Sequence, residues 1–524
     1  MSQINISNLS FKYDNSSEYV FQDVNLILDS SWKLGLIGRN GRGKTTLLKI
    51  LMGELKGRGN IKSTQNFGYF PFDVEDRALK SIDVVKNAIA PFSFWESEME
   101  RCIATNDMDK YGEIFEKYTY NEGYVIDELI KKEVGQIGLS WDLLNRAFDT
   151  LSGGEQTKLL LVALFLKKNH FLLIDEPTNH LDVMGRKIVG DYLLSKNGFI
   201  LVSHDRAFVD KVVDHILSIN KENIEIQRGN FTSWDNNRIG IENFEKNKNA
   251  RIKKDINRLE KTAKEKETWS NKVEASKFGN GPCDRGFIGH KSAKMMKRSK
   301  NLEKRFNDAI DEKSKLLKNI EQVRELEIFI DEKGRSKVAF AKDLTIDYGE
   351  GDLFKLLSFE INKGERICLK GENGCGKSSI LKIFAQVFEQ SLYKSDVSIP
   401  KNVSYIPQDT SFLKGDLDFF IENNNIDGAI LKSNLFKLGF NKDDFHRKIE
   451  DFSEGQRKKL LIAKSLCDKA ELYIWDEPLN YIDIISRKQI EDLILKTKPT
   501  MLIVEHDELF VERIATKIIE VEIK

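Results

Sequence analysis

Paired cysteines are missing from this sequence. Its five cysteines (Cys102, Cys283, Cys368, Cys375 and Cys467) show no paired spacing, which argues against a disulfide framework or a zinc cluster and fits a reducing compartment. Also missing is any apolar run near the roughly eighteen residues that a membrane span requires. The longest, LLLVALFL, reads as part of a buried helix. No secretory leader is legible, so the expectation is a cytoplasmic protein with no membrane crossing. Proline is scarce at 8 residues, and 40% hydrophobic against 31% charged residues is ordinary for a globular chain. With 524 residues, two or three domains are expected, each able to bury a core.

Net charge is absent too, since 82 basic residues balance 82 acidic ones. The balance conceals an asymmetry. Between Lys246 and Arg305 lie 19 basic and 7 acidic residues, a net of +12, which leaves −12 for the remainder. A basic centre between acidic flanks points to a polyanionic partner, nucleic acid first.

What the chain does have is one order of motifs written twice. GRNGRGKT (Gly38 to Thr45) and GENGCGKS (Gly371 to Ser378) each follow a short apolar stretch, LGLI or RICL, and precede a helical pattern. That is the context a phosphate-binding loop requires: glycines turn backbone N–H groups toward phosphates at a helix N-terminus. The candidate nucleotide-binding set is Gly38, Asn40, Gly41, Arg42, Gly43, Lys44, Thr45 and Thr46, with Gly371, Asn373, Gly374, Cys375, Gly376, Lys377, Ser378 and Ser379 in the second half. Lys44 and Lys377 would reach the β- and γ-phosphates, and the Thr45 and Ser378 hydroxyls would hold Mg²⁺. Downstream come LSGGEQ, FLLIDEPTNHLD and LVSHD, repeated as FSEGQ, LYIWDEPLNYID and LIVEHD. Ser152 to Asp175 and Ser453 to Asp476 both span 23 residues; Asp175 to His204 spans 29 and Asp476 to His506 spans 30. Such agreement indicates a duplicated domain.

In this order of motifs the sequence resembles the ATP-binding-cassette ATPases. The resemblance implies an α/β fold: two tandem P-loop ATP-binding-cassette domains joined by a long antiparallel α-helical hairpin linker, with ATP and Mg²⁺ as cofactors. Asp175 and Asp476 would join the Mg²⁺ shell, together with Gln408 in SYIPQD. Glu176 and Glu477 would orient and deprotonate the attacking water, and His204 and His506 would contact the γ-phosphate. The resemblance also implies crossed pairing. Ser152, Gly153 and Gly154, followed by Glu155, would face the Lys377 site; Ser453 and Gly455, with Glu454 and Gln456, would face the Lys44 site. Tyr13 and Tyr348 look like adenine-stacking aromatics, with a plain strand-end aromatic as the alternative.

Several positions depart from the pattern. GYFPFD places Phe72 where the second half has Gln408; Glu454 replaces a signature glycine; Leu479 and Tyr481 stand where the first half has Thr178 and His180. Two unequal sites are expected, without a ranking. Cys375, near a helix N-terminus, is expected to favour the thiolate and to be open to alkylation.

Boundaries are expected at residues 1–235, 236–327 and 328–524. In the centre, Ile252, Ile256, Leu259 and Ala263, then Leu302, Phe306, Ala309, Leu316, Ile320 and Val323, follow an a/d seam. About forty helical residues at ~1.5 Å each make an arm on the order of 60 Å. Its glycine-broken turn, 276–291, contains Lys277, Phe278, Pro282, Cys283, Arg285, Phe287 and Lys291; it reads either as a connecting loop or as a functional tip. Tandem cassettes, a basic hairpin and no membrane segment resemble the ABC-F group. WKLGLIGRNGRGKTTLL, NGFILVSHDRAFVD, MKRSK and ELYIWDEPLNY resemble its Lsa-type antibiotic-resistance (ribosome-protection) subgroup. That likeness implies a monomer acting at the E site of the 70S ribosome, touching 23S rRNA and P-site tRNA. It would displace lincosamides, pleuromutilins and streptogramin A compounds. A housekeeping ABC-F translation factor, a DNA-associated ATPase and the ATPase subunit of a drug exporter stay open as alternatives, since phosphate contact does not separate DNA from RNA.

Overall fold

In this computed structural model the described residues are 3–14, 19–179, 181–220, 223–241, 244, 254, 325–330, 336–348, 351–372, 374–388 and 393–523. The hairpin seam, its tip from Lys277 to Lys291, Asn373 and His180 lie outside them. Packing divides the chain into two compact units, Met1–Phe231 with Val323–Lys524, and Thr232–Gln322. Of the second unit, residues 232–241 are helical.

The first unit contains the same α/β arrangement twice. In the N-terminal copy the strands are β1 (Gln3–Phe11), β2 (Phe21–Asp29), β3 (Lys33–Gly38), β4 (Arg58–Lys62), β5 (Asn66–Phe70), β6 (His170–Asp175), β7 (Phe199–Val202), β8 (His215–Ile219) and β9 (Ile224–Arg228). Six of them form a sheet in the order β5-β6-β7-β3-β8-β9, parallel except for the last pair. The C-terminal copy supplies β10 (Lys337–Ile346), β11 (Leu357–Asn362), β12 (Arg366–Lys370), β13 (Tyr393–Ser398), β14 (Val403–Ile406), β15 (Leu472–Asp476), β16 (Met501–Val504) and β17 (Lys517–Glu520). Its parallel sheet runs β14-β15-β16-β12-β17, the same order without the antiparallel edge. An antiparallel three-stranded sheet, β2-β1-β4 or β11-β10-β13, accompanies each.

Parallel strands buried on both faces demand continuous apolar runs. Phe171 to Ile174 and Leu472 to Trp475 are such runs, all buried. The order of strands brings the motifs together. β6, β7 and β3 are neighbours, so their carboxyl ends carry Asp175, the histidine loop and the phosphate loop side by side; β15, β16 and β12 repeat this. Ligands of open parallel sheets bind at that edge.

LLLVALFL lies in the helix Gly153–Leu166, with Leu159, Leu161 and Val162 fully buried. Lys44 to Ser152 spans 108 residues against 76 for Lys377 to Ser453, and the longer segment holds two helices, Phe92–Thr105 and Met108–Tyr120. Asn106 ends the first in a left-handed conformation and the Asp107 carboxylate caps the second.

Candidate functional site

Each phosphate loop ends on a glycine whose side chain could be nothing else. Gly43 has φ +93, and a Cβ there would sit 2.6 Å from Val20 and 2.9 Å from Phe21; at Gly376, φ +96, it would sit 2.8 Å from Leu353. The lysines that follow fold back over their loops. Lys44 Nζ donates to the Gly38 carbonyl (2.8 Å) and Asn40 Oδ1 (3.1 Å), and Lys377 Nζ to the carbonyls of Gly371 (2.9 Å) and Glu372 (2.7 Å). Thr45 Oγ1 donates to Asp175 Oδ2 at 3.3 Å and Ser378 Oγ to Asp476 Oδ1 at 3.2 Å, so hydroxyl and carboxylate converge in both copies. Tyr13 and Tyr348 hydrogen-bond Thr46 and Ser379 at 2.8 Å, and both rings remain about half exposed. Burial pushes the Asp175 and Asp476 carboxyls above the usual range.

Cys375 corrects one expectation. Its thiol is fully buried, and a Cβ on Gly371 would lie 2.7 Å from its sulfur. Only its backbone can face a nucleotide, and a thiol reagent cannot reach it in the folded loop. Alkylation of the native protein should therefore leave Cys375 unmodified, and peptide mapping by mass spectrometry checks this.

The residues after the aspartates hold left-handed backbone, φ +52 at Glu176 and +47 at Glu477. Glutamate adopts this only where neighbours over-determine it. The Glu176 N–H donates to the Val202 carbonyl (2.8 Å), and the Glu477 N–H to that of Val504 (2.9 Å). Around the carboxylates the copies part. Glu176 Oε2 accepts the backbone N–H of His204 (3.2 Å), and its Oε1 lies 3.4 Å from His204 Nε2. Glu477 instead receives side chains: His506 Nε2 at 3.2 Å, Gln408 Nε2 at 3.0 Å and Asn480 Nδ2 at 2.7 Å. Burial, with the Asp175 charge, pushes the Glu176 carboxyl up to about 8. Burial pushes Glu477 up, but the hydrogen bond and charge of His506, with the Asn480 hydrogen bond and the Lys458 charge, outweigh it and leave that carboxyl below its ordinary range. Phe72, the counterpart of Gln408, has its ring 5.5 Å from the Lys167 ammonium.

Across the two copies the motifs meet crosswise. A cavity of about 750 Å³ is lined by Lys377, Ser378, Gln408, Glu477 and His506 of the second copy and by Gly153, Glu176 and His204 of the first. On the other side, a Cβ on Gly455 would meet the Tyr481 carbonyl at 2.4 Å and Asn40 Nδ2 at 2.8 Å. There the first phosphate loop bonds directly to the second copy: Asn40 Nδ2 donates to the Tyr481 carbonyl (2.8 Å), the Asn40 N–H to Asp483 Oδ2 (3.3 Å) and Arg39 to the Lys437 carbonyl (3.1 Å). Asp483 is itself buried against Lys459 at 2.6 Å, so neither charge is left unpaired. Ser152 and Ser453 cap their helices reciprocally with Glu155 and Gln456. Gly154 lies within the first turn of its helix. Glu454 turns aside to accept from the Thr410 hydroxyl at 2.7 Å.

Sequence reading missed four contributors. Tyr69 donates to Asp175 Oδ2 at 3.2 Å. Asn480 reaches Glu477. Buried Lys458 donates to the carbonyls of Pro407 (3.1 Å) and Glu477 (3.2 Å). Glu505 accepts backbone N–H groups from both loops of the second site. Only Glu505 carried a visible signal, as the one changed letter between VSHD and VEHD.

Residues 21–179 and 354–480 match the ABC transporter family. The chain is 28% identical over 549 residues to the "Putative ATP-binding protein YdiF" of Bacillus subtilis (strain 168), covering 99% of this chain and 79% of that one. It is 27% identical to the "Ribosome protection protein VmlR" of the same organism, covering 97% and 85%. To the "Energy-dependent translational throttle protein EttA" of Haemophilus influenzae it is 25% identical, covering 96% and 89%. In fold it is similar to an archaeal ribosome recycling factor, aABCE1, solved with the stalk protein aP1: TM-score 0.57, 20% identity, 98% of this chain and 87% of that one. Among the described residues no helix is long and apolar enough to cross a membrane. With its motifs written twice in one order, the chain belongs to the ABC transporter family as an ATP-binding, ATP-hydrolysing protein with two tandem ATPase domains.

Proposed function

We propose that this chain is an ABC-F ATPase of the Lsa-type, ribosome-protecting kind. It binds the 70S ribosome at the E site and displaces antibiotics from the peptidyl-transferase centre: lincosamides, pleuromutilins and streptogramin A compounds. The observation that carries the reading is the joining of two crosswise ATPase sites by a segment of net charge +12, which suits the phosphates of 23S rRNA and P-site tRNA. Full-length similarity to a protein named for ribosome protection supports it.

In this reading Lys44 and Lys377 hold the β- and γ-phosphates, and Tyr13 and Tyr348 flank the base. The oxygen donors Thr45 with Asp175, and Ser378 with Asp476, fit Mg²⁺, a hard cation; Asp476 Oδ2 is buried with no hydrogen-bond partner among the described residues. Bound there, Mg²⁺ neutralises phosphate charge. Gln408 stands on Glu477, where it can position water. Glu477 and Glu176 receive the proton of the attacking water, and His506 and His204 orient the carboxylates. ATP closes the halves and raises affinity for the ribosome, and hydrolysis reopens them and releases the protein.

Similarity to a translational throttle protein at nearly the same identity supports a second reading, a housekeeping factor that acts without drug. Expression in a susceptible Gram-positive host separates the two. Resistance to lincosamides and pleuromutilins should rise by several doubling dilutions with the native chain and not with Glu176→Gln/Glu477→Gln. An unchanged susceptibility, with the protein still on ribosomes, selects the housekeeping role.

A further inference from the structure

The second copy places Glu505 where the first has Ser203, and Leu479 where the first has Thr178. In the first copy these two positions touch through hydroxyls, Thr178 Oγ1 to Ser203 Oγ at 3.2 Å. In the second the hydroxyl pair is gone and one carboxylate does more. Glu505 Oε1 accepts the Leu479 N–H at 2.8 Å, while Oε2 accepts the N–H of His506 at 2.7 Å and of Asp507 at 3.4 Å. Both carboxyl oxygens act as acceptors. The side chain is buried and faces the Arg487 guanidinium, the Lys458 ammonium and the Asp507 carboxylate.

The consequence appears at the neighbouring glutamate. In the first copy the backbone N–H of the histidine is spent on Glu176. In the second, Glu505 takes that N–H, and the Glu477 carboxylate is left to the side chains of His506, Gln408 and Asn480. The two substitutions are thus one exchange. Leucine removes a hydroxyl, and glutamate supplies the acceptor that joins the loop after Glu477 to the loop carrying His506.

We propose that Glu505 is a positioning residue for ATP hydrolysis at the second site, setting the His506 loop against Glu477 without touching the nucleotide. This rests on the reading of Glu477 and His506 as the hydrolytic pair. The test uses the full-length protein and steady-state ATPase kinetics. Loss of an orienting contact costs about 10- to 100-fold in turnover. So Glu505→Gln, which cannot accept through its nitrogen, should lower kcat by that amount while KM for ATP and the melting temperature stay near the native values. Because the residue acts through His506, adding Glu505→Gln to His506→Ala should lower kcat no further. Rebuilding the first copy's pair, Glu505→Ser with Leu479→Thr, should recover more activity than Glu505→Ser alone.

Three results overturn the proposal. One is a native kcat in Glu505→Gln. Another is multiplication of the two effects in the double variant. The third is a loss matched by a fall in melting temperature and restored on cooling, which marks a purely structural role. If His506→Ala and Glu477→Gln both turn over like the native protein, it is the underlying reading of the site that fails.

Discussion

Glu477→Gln should abolish nearly all ATP turnover, by about 100-fold or more, whereas Glu176→Gln should keep more than about half of it. The ranking comes from what surrounds each carboxylate. Glu477 accepts from three side chains, and Lys458 ties its backbone carbonyl to that of Pro407, one residue before Gln408. Among the described residues Glu176 has no amide partner of the Gln408 kind: Phe72 lies beside Lys167, and the His204 backbone N–H occupies one carboxylate oxygen. Steady-state phosphate release by the two single variants checks this. Equal losses, or a greater loss in Glu176→Gln, contradict it. The sequence already showed that the sites differ, through Phe72 and Glu454, but not which one is better equipped, because the decisive bonds join residues far apart in the chain.

Glu491→Ala should lower the melting temperature by roughly 10 °C. Glu491 is fully buried and receives Arg206 of the first copy and Arg513 of the second, each at 2.5 Å. Arg513 can turn to water; Arg206, buried, cannot. Removing one partner of a buried pair costs about 3–5 kcal/mol, and a domain of this size loses about 2–4 °C per kcal/mol. Arg206→Met/Glu491→Met should melt closer to the native protein, since no buried charge then stands alone. A change of under about 2 °C in Glu491→Ala contradicts the assignment. The tie is one-sided. At the corresponding positions the sequence has Glu508 for Arg206 and Gly190 for Glu491, so no such pair can form across the other half of the interface.

These two features mark where sequence reading stops. The phosphate loops, the aspartate–glutamate pairs and the histidine loops were legible because each is a local string at repeated spacing, and parallel-strand order brings such strings to one sheet edge. The crossed pairing was implied by resemblance, and Gly455 against Asn40, with Gly153 lining one cavity with Lys377, gives it a geometry. Arg206 with Glu491, 285 residues apart, and Tyr69 with Asp175, 106 apart, have no periodic signature. Burial of Cys375 was illegible for the same reason. Composition places a thiol near a helix N-terminus, but only packing decides whether it faces solvent.

Closure of the two copies on ATP, coupled to ribosome binding, is tested most directly by sedimenting Glu176→Gln/Glu477→Gln with ribosomes in ATP and in ADP. The expected result is retention with the ribosomal pellet in ATP and release in ADP, while the native protein stays largely in the supernatant in both. Equal partition of the variant in the two nucleotides, or its recovery with membranes in place of ribosomes, contradicts the coupling.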